Sequence, residues 1–205
     1  AAIKSGTHGS IALTFLEWAG PKEQKQIIGW TRIDGEDSAR KVHEALKSVP
    51  VSGGYWTSMS GALDKAAELI AAAPYTASRR VIDLSSDGRN NAGAPLWGSR
   101  KRILDKGITI NGLPVRIMRR NPSFPPIPKL DEYFIDCVIG GPGAFSVVVE
   151  NFKDLAQSVR RKLVREIAGG PAPVAGFHPV AGNSARKKYN CLGEPHRAGN
   201  LPRAG

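Results

Sequence analysis

Two polar loops carry the side chains that could bind a ligand. Residues 53–60 supply hydroxyl groups, among them that of Thr57, and residues 85–91 follow an apolar run and contain the carboxylate of Asp87. Ligands of open α/β sheets bind just outside the carboxyl ends of the strands. Hydroxyl and carboxylate oxygens suit a hard divalent cation such as Mg²⁺, which takes about six oxygen ligands. The pattern predicts Thr57 and Asp87 as partial ligands of such an ion.

Simpler explanations exist for several of these polar residues. Asp87 could also be a turn residue that accepts bonds from nearby backbone N–H groups. Asp83 lies on the same strand face as Asp87 and is predicted to be a buried structural acid. Asn90 and Asn91 are predicted to be turn formers. Trp56, next to Thr57, is a candidate for a partner surface, although tryptophans more often belong to the core or its rim.

Strand and helix patterns alternate along the chain and would position these loops. Strands are predicted at residues 9–18, 24–33, 81–85, 108–113 and 144–149. Helices are predicted from Asp34, as N-cap, to the residue before Pro50, then at 61–73, 95–106 and 151–168, with a short helix or turn at 131–138. This alternation predicts an α/β fold with a doubly wound, mostly parallel sheet covered on both faces. The initial hairpin would add an antiparallel edge.

The composition divides the chain into a domain and a tail. Residues 1–170 carry the apolar periodicity, whereas Pro, Gly, Ala and Arg dominate residues 171–205, which predicts a disordered or loosely attached tail. Apolar runs nowhere reach the roughly 18 to 20 residues needed to cross a bilayer. The turn at 140–143 is rich in glycine but lacks the Gly-Lys-Ser/Thr ending of a phosphate loop.

The net charge of +11 favours acidic partners or anionic surfaces. Within the domain, basic side chains cluster at Arg100, Lys101, Arg102, Lys106, Arg116, Arg119 and Arg120. A solvated basic surface is the favoured interpretation, and polyanion or nucleic-acid binding is an alternative. Nucleic acid is the less expected partner because no interleaved aromatic residues or known binding signature accompany the arginines.

Catalytic and redox signatures are sparse. The four histidines, His8, His43, His178 and His196, have no Ser or Cys in a nucleophile context, so a non-enzymatic protein is predicted. A metal-assisted hydrolase using Asp87 is the alternative. The two cysteines fit neither a metal spacing nor a Cys-x-x-Cys motif. They could form one disulfide in an oxidising compartment or be unrelated thiols.

Several segments together resemble a von Willebrand factor A-like domain, and more narrowly an uncharacterised bacterial family of such domains. The motifs include Thr57-Ser58-Met59-Ser60-Gly61 and Ser86-Asp87-Gly88. The full set covers residues 9–12, 15–20, 30–34, 57–63, 80–83, 86–88, 90–91, 107–114, 136–145 and 160–169. The resemblance extends over residues 1 to about 170 in order, and residues 191–194 are similar to a cysteine-bearing end of the family.

The resemblance implies a metal-ion-dependent adhesion site. In such sites one loop supplies Asp-x-Ser-x-Ser, a second a threonine and a third an aspartate before glycine, and a partner protein completes the coordination with a carboxylate. Thr57 matches the second loop and Asp87 the third. The expected function is a protein-binding module for an acidic side chain of a partner, using Mg²⁺, or Mn²⁺ or Ca²⁺.

The chain departs from the family pattern in one respect. Asp-x-Ser-x-Ser does not occur in it. We therefore expect an N-terminally truncated copy that lacks the central first strand and first helix, with a metal site that is at best half built. The resemblance also implies a periplasmic or secreted protein, which favours a Cys137–Cys191 disulfide.

Overall fold

The computed structural model describes residues 9–50, 52–117, 127–151, 177–179 and 188–192, together with positions 153–154, 156–157, 159–160 and 164. The strands are β1 (Ile11–Trp18), β2 (Gln24–Ile33), β3 (Val81–Ser86), β4 (Thr109–Pro114), β5 (Phe145–Val147) and β6 (Phe177–Pro179). The helices are α1 (Glu36–Lys47), α2 (Met59–Ala71), α3 (Leu96–Asp105) and α4 (Leu130–Tyr133), and α4 continues into a π-helical turn at Phe134–Val138.

The described strands form two separate sheets. β1 and β2 form an antiparallel pair, and the second sheet has the order β3-β4-β5-β6. Within the second sheet β3, β4 and β5 are parallel, whereas β6 is antiparallel to β5. Among the described strands, β1 and β3 therefore each lie at a sheet edge. The fold is mixed α/β with a three-stranded parallel sheet, as the alternation of patterns predicts at this level.

Helix α2 connects the hairpin of β1 and β2 to the larger sheet. The indole Nε1 of Trp30 in β2 donates to the carbonyl of Leu69 in α2 at 3.0 Å. At the other end of the helix, the backbone N–H of Ser58 donates to the carbonyl of Ala19 at 2.7 Å. The side chain of Trp18 packs against the main core. These contacts fix the hairpin although no described strand joins it to the second sheet.

The main core lies between one face of the larger sheet and the helices. It contains Ile82 and Leu84 of β3, and its other members come mainly from α2, α3, β4, α4 and the π-helical turn. All six residues of β4 are buried, as expected for a strand covered on both faces. A smaller cluster, Leu113, Phe145, Val147 and Val149, packs with Val159 from the helical positions after residue 151.

Several helix and strand ends differ from the predicted ones. The N-cap of α1 is Gly35 rather than Asp34. The hydroxyl of Ser38 accepts bonds from the backbone N–H groups of both residues at 3.1 Å, so a serine in the first turn satisfies these donors. α2 begins two residues earlier than predicted, because Ser58 acts as its N-cap and accepts a bond from the Gly61 N–H.

Two segments of residues 171–205, the tail predicted to be disordered or loosely attached, are attached to the fold. β6 pairs with β5 through three residues, so it extends the larger sheet by a strand. Cys191 forms a disulfide with Cys137 of the π-helical turn, with 5.5 Å between the two Cα atoms. The rest of 171–205 and residues 118–126, which include most of the loop predicted at 121–128, lie outside the described residues. Within the described part of the chain, no helix is long and apolar enough to cross a membrane.

Gly112 of β4 allows the π-helical turn to approach the sheet. A Cβ at this position would lie 2.5 Å from Phe134 Cδ1 and 2.8 Å from Ile139 Cγ2. Both neighbours are buried, so neither can move away freely. We expect Gly112→Ala to lower the free energy of unfolding by about 1–3 kcal/mol through overpacking. Urea unfolding followed by circular dichroism measures this change.

Gly29 of β2 is the matched control, because a Cβ there meets no atom within 4 Å. Gly29→Ala should leave the unfolding free energy unchanged or slightly raised. Equal destabilisation by the two substitutions would contradict the packing of Phe134 on β4.

Candidate functional site

The two loops predicted to bind a cation lie side by side. Asp87 directly follows β3 and its side chain is exposed. Thr57 is half-buried and precedes Ser58, the N-cap of α2. The backbone N–H of Asn91 donates to the carbonyl of Thr57 at 2.9 Å, and the Thr57 N–H donates to Asn91 Oδ1 at 2.8 Å. These reciprocal bonds join the loop that follows β3 to the loop that precedes α2.

Gly88 lies directly beside Thr57. A Cβ on Gly88 would lie 3.0 Å from the hydroxyl Oγ1 of Thr57, so a larger residue there would crowd the threonine. The hydroxyl of Ser86 accepts a bond from the Gly88 N–H and donates to its carbonyl, both at 3.2 Å. The turn that carries Asp87 is thus held locally by a serine and passes directly beside Thr57.

Asn90 connects this turn to three other parts of the molecule. Its buried side chain accepts a bond from the Ser60 N–H at 3.1 Å and donates to the Ala94 carbonyl at 3.2 Å. Its own backbone N–H donates to the Tyr133 hydroxyl at 3.3 Å. Asn90 and Asn91, predicted to be turn formers, also bind distant segments through their side chains. Two adjacent amides after a strand exit were the only signal in the sequence.

Asp83 also differs from its prediction. Its side chain is exposed rather than buried, because Ile82 and Leu84 take the core-facing side of β3. Asp83 is therefore an acidic residue on the opposite face of the sheet from the main core. It is a useful comparison for Asp87, because both carboxylates are exposed and they lie four residues apart.

The oxygen atoms at this site could supply part of the ligand set of a hard cation. The three bonds that hold the Thr57 loop to residues 91 and 92 use backbone atoms of Thr57, so they leave its hydroxyl oxygen for a ligand. Ser60, the second residue of α2, has a buried hydroxyl without a hydrogen-bond partner among the described residues. No three His, Cys, Asp or Glu side chains come together as a metal-binding group in the described part. Thr57 and Asp87 would hold a cation only with further oxygen ligands.

Exposed aromatic surface adjoins the site. Tyr55 is 99% exposed, and Trp56 is half-buried next to Thr57. Gly54 is packed so closely on Ala19 that a Cβ would lie 2.3 Å from the Ala19 Cβ, which holds this loop against the β1–β2 turn. The exposed ring of Tyr55 therefore projects from a fixed segment two residues before Thr57.

The basic cluster is largely engaged within the molecule. Arg100 donates to the carbonyl of Ile139 at 2.7 Å, and burial lowers the pKa of its guanidinium. Lys101 pairs with Asp105 at 2.7 Å, Arg102 with Asp64 at 2.9 Å and Arg116 with Asp131 at 3.3 Å. Exposed pairs of this kind add little stability, but they reduce the positive field that a polyanion would meet. Arg119 and Arg120 lie outside the described residues.

Glu17 binds the start of the loop that carries Tyr55 and Trp56. Its carboxylate accepts a bond from the Ser52 N–H at 2.9 Å, and this bond lowers the pKa of the exposed Glu17 side chain. A lowered pKa in the folded state means that the anchor is present above the ordinary glutamate pKa and is lost as the pH falls through the lowered one. We expect the Ser52 amide resonance to follow this titration in NMR spectra, and Glu17→Gln to abolish it. A Ser52 shift that is independent of pH would contradict this anchor.

The contribution of the Asn91 side chain to stability can be measured without any ligand. Asn91→Ala removes the acceptor for the half-buried Thr57 N–H and should lower the free energy of unfolding by about 1–3 kcal/mol. Asn91→Asp keeps an acceptor oxygen and should retain most of the stability. Chemical denaturation of both variants checks this, and an equal loss in both would mean that the acceptor is not what matters.

Comparison with known proteins gives a family and a fold. A family model described as "Protein of unknown function (DUF1194)" matches residues 1–171. No curated protein matches. Among solved structures, proximal thread matrix protein 1 from the mussel byssus superposes with a TM-score of 0.55 at 14% identity, over 80% of this chain and 38% of that one. The conserved hypothetical protein BatB from Bacteroides thetaiotaomicron gives a TM-score of 0.54 at 17% identity, over 82% and 84%.

At these identities the two structures show a shared fold and nothing about ligands. The chain spans well under half of the mussel protein but most of BatB. The α/β architecture described above is thus one that solved proteins adopt, and β3 with its exit turn is part of that architecture.

Proposed function

We propose a function on the premise that this chain belongs to the DUF1194 family, as the match to residues 1–171 shows. The protein is, in this proposal, a von Willebrand factor A-like binding module without enzymatic activity. It holds a divalent cation, Mg²⁺ in the first place and Mn²⁺ or Ca²⁺ as substitutes, at the loops of Thr57 and Asp87. The cation in turn binds an acidic side chain of a partner protein.

The observation that carries this proposal is the pairing of the two loops. Thr57 and Asp87 are 30 residues apart in sequence, and reciprocal bonds between Thr57 and Asn91 bring their loops together. Oxygen donors from two fixed loops at a strand exit are what a hard cation needs from a protein that supplies only part of its ligands. The shared fold with BatB supports the architecture in which such a site would lie.

The remaining ligands require a further segment. In this proposal a strand bearing Asp-x-Ser-x-Ser lies between β1 and β3, which are both edges among the described strands. The composition of β1 supports this, because its residues are apolar on both faces and yet none of them is buried. A strand of that composition is typical of the interior of a sheet covered on both sides.

Two further observations bear on the alternatives. Polyanion binding is disfavoured, because the described arginines of the basic cluster have carboxylate or carbonyl partners. A periplasmic or secreted location is supported by the Cys137–Cys191 disulfide, since such bonds persist in oxidising compartments. A hydrolase would need a general base beside Asp87, and the proposal assigns no residue to that role.

Titration with Mn²⁺, followed by its electron paramagnetic resonance signal, tests the cation site in the full natural chain. We expect Asp87→Ala and Thr57→Val each to weaken Mn²⁺ binding by about tenfold or more, equivalent to about 1.4 kcal/mol. Asp83→Ala is the matched control, because it removes another exposed carboxylate of the same strand region without touching the site.

The controls separate the site from general effects. Circular dichroism must show that every variant keeps its fold. Equal Mn²⁺ affinity of the wild-type and Asp87→Ala proteins would remove Asp87 from the site. If binding to a polyanion such as heparin falls steeply with salt and ignores Mn²⁺, the polyanion alternative replaces this proposal.

A further inference from the structure

We propose that residues 188–192, called the C-terminal clamp below, position the Asp87 turn, and that the Cys137–Cys191 disulfide makes this positioning redox-dependent. The clamp is distant in sequence from the turn, and the disulfide spans 54 residues. The effect of the clamp on a bound cation rests on the function proposed above. The effect of the clamp on the Asp87 turn does not, so an experiment can contradict either effect without the other.

The clamp docks on the segment that carries Cys137. The backbone N–H of Tyr189 donates to Asp136 Oδ2 at 2.6 Å. The Tyr189 and Cys191 side chains pack against the main core, although both are only partly buried. The clamp is thus attached through the backbone N–H of Tyr189, the ring of Tyr189 and the disulfide of Cys191.

Tyr189 then reaches the site turn by two routes. Its ring contacts that of buried Tyr133 edge-on, with 5.3 Å between centroids, and the Tyr133 hydroxyl accepts the bond from the Asn90 N–H. The guanidinium of Arg89 lies over the Tyr189 ring, with its central carbon 5.0 Å from the centroid. Arg89 and Asn90 are the second and third residues after Asp87, so both routes end on its turn.

Arg89 depends on this ring more than an exposed arginine would. Its Nε is buried without a hydrogen-bond partner among the described residues, whereas its Nη2 donates to the Pro128 carbonyl. A cation over an aromatic face is stabilised by the ring quadrupole, most strongly where water is excluded. Loss of the Tyr189 ring would expose Arg89 to water and free the turn on that side.

The disulfide keeps the clamp in place. A dithiol reductant such as dithiothreitol breaks the Cys137–Cys191 bond by thiol–disulfide exchange. The two cysteines take up two electrons and two protons, and the reductant loses them and closes to its own disulfide. The clamp is then held by non-covalent contacts alone, among them the bond from the Tyr189 N–H to Asp136 and the partly buried side chains of Tyr189 and Cys191. Segments with few buried contacts open locally at low free energy.

Hydrogen exchange of the intact oxidised protein tests this inference at the backbone N–H of Asn90, which donates to Tyr133. We expect reduction to lower its protection by about tenfold, as the loss of one buried hydrogen bond would do. Tyr189→Ala should give the same loss without reductant. Leu192→Ala is the matched control within the clamp, because its side chain is 76% exposed, and it should leave Asn90 protection unchanged.

Two comparisons make the result decisive. A Cys137→Ser, Cys191→Ser double variant should show the lower protection from the outset and no response to dithiothreitol. Amides of β4 should keep their protection under reduction, because the clamp does not contact that strand's hydrogen bonds. Unchanged Asn90 protection on reduction, or an equal loss in Asn90 and β4, would overturn the proposal. Weaker Mn²⁺ binding after reduction would extend it to the site.

Discussion

The amide side chain of Asn90 must satisfy its polar atoms inside the protein, because water does not reach it. It bonds to the first turn of α2 and to the segment before α3, and its backbone N–H bonds to Tyr133. A buried amide without these partners would cost about 1–3 kcal/mol for each unpaired group. The exit of β3, the starts of α2 and α3 and the end of α4 are therefore fixed relative to one another by one residue.

Helix α2 has a comparable role for the hairpin of β1 and β2. The backbone N–H of its N-cap, Ser58, donates to the Ala19 carbonyl in the turn after β1. The Leu69 carbonyl in its last turn accepts the bond from the Trp30 indole. The hairpin is thereby held beside the larger sheet by side-chain and loop bonds rather than by a strand ladder. Strands that pair on one side only leave backbone groups available to another strand, which is why the proposed additional segment fits between β1 and β3.

Much of the fold followed from local sequence patterns. The apolar run from Val81 predicted β3, and the helix start at Pro95 predicted α3, each to within a residue or two. Residues close together in the sequence determine where these elements form. The place of β6 was missed, because its three residues lie in a stretch without apolar period and are ordered by pairing with β5, about 30 residues earlier. The division into two sheets likewise reflects long-range pairing.

The candidate site was predicted in part for the same reason. Thr57 and Asp87 stand out in the sequence because their side chains carry oxygen ligands. Thr57 also precedes a predicted helix, and Asp87 follows a predicted strand. Asn91 and Asn90 look like turn residues in sequence, because nothing local shows that their amides meet Thr57 and Ser60. The pairing of Cys137 with Cys191 was one of two open possibilities until the positions of both were known.

The residues of the site fall into two groups, those that support the loops and those that could bind a ligand. Asn90 and Asn91, with Ser86 and the clamp, use their bonds to hold backbone in place, so the loop geometry does not depend on a ligand. Thr57 contributes its backbone to that framework and leaves its hydroxyl outside it, while the Asp87 carboxylate lies at the exposed surface. Binding constellations are effective when supporting residues fix them beforehand, since less order has to be created on binding. In the proposed function, a divalent cation would meet these two oxygen ligands at one edge of the sheet, on loops that are already held in place, and would bind the carboxylate of the partner protein.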